Sequence, residues 1–66
     1  MKKLAVISNI INEECFIDEV VNRMPVIYEA RYSFEGCEDV IHVHPNYLYE
    51  ALVWLRERHV RAVVTD

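Results

Sequence analysis

Gly36 is the only glycine in this 66-residue chain, and it stands between two runs of alternating side chains. That arrangement constrains the fold more than any other feature, because two adjacent strands need a tight turn and glycine tolerates the positive φ such turns use. Upstream, Val26, Tyr28, Ala30, Tyr32 and Phe34 share one face, while Ile27, Glu29, Arg31 and Ser33 share the other. Downstream, from Cys37 to Pro45, Ile41 and Val43 point one way and Val40, His42 and His44 the opposite way. With Glu35-Gly36 as a two-residue turn, Ser33 pairs with Glu38, Arg31 with Val40, Glu29 with His42 and Ile27 with His44. The apolar faces of both strands agree under that registry.

The remaining segments fall around this hairpin. Lys3 to Ile10 is an apolar, β-branched run of strand length. Asn12 reads as a helix N-cap, followed by Glu13 and Glu14 where the helix dipole favours carboxylates. Phe16, Ile17, Val20, Val21 and Met24 recur at helical spacing until Pro25 ends the helix. Pro45-Asn46 opens a second helix, Tyr47 to His59, with Leu48, Ala51, Leu52 and Leu55 as its core stripe, and Val60 to Thr65 is the last strand. The order β-α-β-β-α-β predicts one α+β domain over residues 1–66. The expected arrangement is the ferredoxin-like βαββαβ split sandwich, a four-stranded antiparallel sheet with two helices on one face. That arrangement serves many functions and assigns none.

Charge and composition narrow the class of partner. Eleven acidic against seven basic residues leave a net charge of −4, which disfavours nucleic acid, whose binding rests on cationic neutralisation of phosphates. The basic cluster Arg56, Arg58, His59 and Arg61 is interrupted by Glu57. The apolar start is too short and too interrupted for a signal peptide, and no run reaches the length of a membrane span. Two cysteines without a secretory leader point to a reducing compartment, so the expected location is cytoplasmic. A chain this small that is 53% hydrophobic cannot bury all its apolar surface alone, which predicts a homo-oligomer and a protein partner.

Two surfaces are candidates for that role. The sheet face away from the helices would present Ile27, Glu29, Arg31, Val40, His42 and His44, a mixture of apolar and polar groups typical of interfaces. On the second helix, Tyr49, Val53 and Trp54 extend the apolar character beyond one stripe. Tyr28, Tyr32 and Phe34 are expected beneath the helices, in the core. His42 and His44 also have the spacing of a strand-borne metal pair, and zinc or another transition metal is the alternative cofactor, with Cys15, Cys37, Glu29 or His59 as further ligands. Otherwise no cofactor is implied, and Glu29 is expected to partner His42 across the strands. No glycine-rich phosphate loop or oxyanion loop accompanies these residues, so catalysis is not assigned. The residues suit a small cytosolic binding protein, an accessory or inhibitory factor such as those viruses deploy against their hosts. The alternative is a small-ligand or metal sensor at His42 and His44.

Overall fold

The computed structural model describes residues 1–9 and 17–65. Among these lie strand β1 (Lys2–Asn9), helix α1 (Ile17–Asn22), β2 (Arg31–Glu35), β3 (Glu38–Val43), helix α2 (Leu48–Glu57) and β4 (Val60–Val64). The strands form one antiparallel sheet in the order β2-β3-β1-β4, so β1 and β3 are central and β2 and β4 are edges. Leu4, Ile41, Val43 and Val60 line one side of the sheet. They join Ile17, Val20, Val21 and Met24, and Ala51 and Leu55 of α2, in a single core cluster. The expected helix start at Asn12, with Glu13, Glu14 and Phe16, lies outside the described residues.

The strand expected from Val26 to Phe34 is shorter than its alternation implies. Val26–Tyr28 forms a 3-10 turn after Pro25, with the Tyr28 N–H donating to the Pro25 carbonyl and the Glu29 N–H to the Val26 carbonyl, both at 3.0 Å. Glu29 then takes a left-handed conformation, φ 53°. The reason is a missing partner. β3 ends at Val43, and the His44 N–H donates to the Tyr28 carbonyl at 2.7 Å, so β3 offers no extended partner to residues 26–30. Period-two patterning persists through a segment whose hydrogen bonds are local.

The turn also moves. Arg31 pairs with His42, Ser33 with Val40 and Glu35 with Glu38, which places Gly36-Cys37 rather than Glu35-Gly36 at the two central positions. Gly36 has φ +64°, the positive value that the first central residue of a type II′ hairpin turn requires. Moving the turn by one residue shifts each cross-strand pair by two, so every side chain keeps its face while its neighbours change. At the far side of the sheet, β1 and β4 change register between Val6 and Ser8, a bulge that puts Ile7 out of the regular alternation.

Candidate functional site

The face of the sheet away from the helices carries Lys3 and Ala5 from β1, Arg31, Ser33 and Glu35 from β2, Val40 and His42 from β3, and Arg61 and Val63 from β4, by register. Its centre is a polar cluster. The Lys3 ammonium donates to Glu35 Oε1 at 3.1 Å, and the Ser33 hydroxyl donates to Glu35 Oε2 at 2.9 Å. His42 Nε2 lies 2.8 Å from Ser33 Oγ and 3.0 Å from Glu35 Oε2. Hydrogen bonds from Ser33 first and Lys3 next hold the Glu35 carboxyl below its ordinary range.

Serine, histidine and glutamate in one cluster invite a catalytic reading, and the geometry argues against it. A nucleophilic serine gives its proton to histidine while the acid orients the other ring nitrogen. Here both Ser33 and Glu35 approach the same nitrogen, Nε2. The single Ser33 hydroxyl proton is directed to Glu35, so Nε2 is the donor toward Ser33 and Glu35. The proton flow is opposite to the one that activates a nucleophile. The cluster is a cross-strand brace.

Several expected site residues stand elsewhere. Ile27 and Glu29 are not on the sheet; they belong to the 3-10 turn and its cap and are exposed. Glu35, which lies along the face beyond Arg31 and Ser33, takes the place expected for Glu29 as the partner of His42. His44 follows β3 and caps the 3-10 turn Pro45–Tyr47, its Nδ1 accepting from the Asn46 N–H at 3.1 Å. Its ring stacks edge-on against Tyr47, centroids 5.8 Å apart. His42 and His44 are therefore drawn into separate networks, and among the described residues no group of three or more His, Cys, Asp or Glu side chains is placed to hold a metal ion. Val40 and Ala5, the apolar members on the two central strands of the open face, are each only 4% exposed, whereas Val63 on the edge strand β4 is 44% exposed. That face offers a partner little apolar surface at its centre.

Exposed apolar side chains gather in two places: Val26, Ile27, Tyr32 and Phe34 in and just before β2, and Ile7, Tyr49, Val53, Val63 and Val64 on the β4 flank. Ile7, Tyr49, Leu52, Val53, Arg56 and the strand Val60–Val63 border a groove of 330 Å³ between α2 and the β4 edge. Tyr49 and Val53 are exposed on α2, as the sequence predicts. Trp54 is not: it packs partly buried against the core, and the Arg58 guanidinium covers its ring at 3.7 Å while donating to the Trp54 carbonyl at 2.9 Å. Tyr32 and Phe34 also depart from expectation, being 38% and 64% exposed at the β2 edge. The Tyr32 hydroxyl donates to Asp39 at 2.6 Å, which raises that phenol above its ordinary pKa. Sequence reasoning misses Lys3, Ser33 and Glu35 as one cluster, whereas strand alternation already puts Ile7 among the apolar residues on the side away from the helices. That cluster depends on the shifted hairpin register, and the bulge beside Ile7 is a feature that strand alternation does not announce.

No protein-family model, curated protein or solved structure matches this chain. Among the described residues, no helix is long and apolar enough to cross a membrane.

Proposed function

We propose that this protein is a small binding protein that acts as a homodimer on a protein partner, as an accessory or inhibitory factor. The observation that carries this reading is the contiguous apolar flank of Ile7, Tyr49, Val53 and Val63, each between 38% and 73% exposed beside one groove. Surface of this kind is usual where another chain docks. The strand order β2-β3-β1-β4 and the shared helical core support the ferredoxin-like split sandwich as its fold, which presents two edges and one open face to partners. The acidic net charge of −4 favours a protein over a nucleic acid as that partner.

Light scattering over a concentration series tests the reading directly. A dimer mass that falls to the monomer on dilution is the expected result. A monomer at every concentration up to millimolar would remove the homodimer from it. Tyr49→Ala and Val53→Ala, which truncate the exposed stripe, are expected to weaken association at least tenfold without changing the far-UV circular dichroism.

A further inference from the structure

We infer that the dimer forms by twofold antiparallel pairing of β4 with β4 of a second copy, which joins the two sheets edge to edge and brings the two α2 helices alongside. This rests on the homodimer reading above and assigns its surface. The backbone shows which groups are free. The Thr65 N–H donates to the Lys3 carbonyl at 3.0 Å, so Lys3 and Thr65 form a hydrogen-bonded pair, and alternation makes Ala5 and Val63 the next one. Ala62 and Val64, and by the same period Val60, then direct their N–H and C=O groups away from β1. No strand among the described residues meets that edge.

The segment Val60–Val64 is complementary to itself about Ala62. Ala62 pairs with the partner's Ala62, and Val60 with the partner's Val64, all through outward-directed groups. On the open face Arg61 falls opposite the partner's Val63, which keeps the two guanidinium groups from facing each other and covers the arginine stem. On the helix face, Tyr49, Val53 and Arg56 follow one another at helical spacing on the side of α2 that borders the groove, where the second α2 would lie. A second copy therefore meets both a strand edge and a helix stripe.

The area is sufficient. Ile7, Tyr49, Val53, Val63 and Val64 are 58%, 73%, 38%, 44% and 44% exposed, which at ordinary side-chain sizes is on the order of 500 Å² per protomer. Arginine stems and edge backbone add to this, bringing it to the lower end of the ~600–1,000 Å² per partner of stable interfaces. The β2 edge is the competing surface. Exposed Val26, Ile27, Tyr32 and Phe34 lie in or just before it, but only Tyr32 and Phe34 direct backbone groups outward, its Glu35 is already held by Lys3 and Ser33, and among the described residues no exposed apolar helical stripe accompanies it onto that flank.

The test uses the intact chain. Ala62→Pro removes an outward N–H and leaves every bond between β1 and β4 in place, a substitution edge strands accept. It is expected to abolish the dimer with the circular dichroism spectrum retained, whereas Phe34→Pro, the matching change on β2, leaves the dimer. As a second measurement independent of the proline, Arg61→Cys/Val63→Cys in a Cys15→Ser/Cys37→Ser background is oxidised with diamide. A covalent dimer in high yield is expected, since the opposed positions form a non-hydrogen-bonded pair with closely spaced Cα atoms. A wild-type dimer that survives Ala62→Pro and gives no cross-link would overturn this surface while leaving the homodimer standing. Loss of the dimer in Phe34→Pro alone would move it to β2, and a wild-type monomer would overturn both.

Discussion

The two edges of the sheet are built from strands of equal length and opposite character. β2, Arg31–Glu35, carries a charge at each end and a serine between, and on the open face its Ser33 and Glu35 are tied to each other, to Lys3 of β1 and to His42 of β3. β4, Val60–Val64, carries one charge, Arg61, among aliphatic residues, and an exposed helical stripe runs beside it. Charged, internally satisfied edges discourage pairing with other chains; apolar edges with a matching groove invite it. Edge position alone does not make a surface sticky. What matters is whether the side chains there have already found partners within the chain.

The largest expected difference between the flanks concerns the core beneath them. Leu55, fully buried under the β4 side, should lose about 2–5 kcal/mol of stability on truncation to alanine, whereas Phe34→Ala at the β2 edge should stay within about 0.5 kcal/mol. Equal losses in urea melts would show that β2 is as well covered as β4. Next comes the way each edge strand is entered or left. Gly36 in the β2–β3 turn has φ +64° with open space around the missing Cβ, so Gly36→Ala should cost about 1–2 kcal/mol from backbone strain alone. His59, at φ 62° before β4, holds the same conformation without being glycine. His59→Gly should accordingly stabilise by about 0.5–1 kcal/mol, and a loss instead would mean the imidazole has a role there.

Smaller effects sharpen the picture on each side. Arg58→Ala uncovers the Trp54 ring and should cost about 0.5–1 kcal/mol, read as a red-shifted, more quenchable tryptophan emission. On the β2 side, the Glu35 carboxyl is held below its ordinary value by Ser33 and Lys3. A group depressed in the folded state stabilises it above its unfolded pKa and loses that effect as pH falls through the folded value. The urea midpoint should therefore drop slightly as pH goes below about 4.5, and Glu35→Gln should remove that part of the slope. An unchanged slope would mean the brace contributes nothing. Its exposed position keeps the effect the smallest of the set.

Much of the fold is legible in the residues because it depends on local periodicity. Ile17, Val20, Val21 and Met24 share a helical stripe and are all buried; Leu4, Ile41 and Val43 alternate into the same core. The candidate site is less legible because it depends on register. Glu29 and Glu35 sit on the same side of the same alternation, but the hairpin register shifts and a 3-10 turn takes Glu29 off the sheet, so Glu35 is the one that reaches His42. The Val26–Ala30 alternation misleads for a related reason: a period of two is necessary for a strand but becomes one only where a neighbour supplies hydrogen bonds.

The order of elements, the buried faces of α2 and the central strands, and the need for a glycine near position 36 follow from the residues alone, because each reflects contacts between neighbours in the chain or the spacing of apolar groups. Which histidine meets which carboxylate, that Trp54 is covered and Phe34 is not, and which apolar side chains border the groove beside β4 were decided by tertiary packing. The histidine's partner turns on a one-residue move of a turn, and the pairing around Ile7 on a bulge, where small backbone differences exchange cross-strand neighbours.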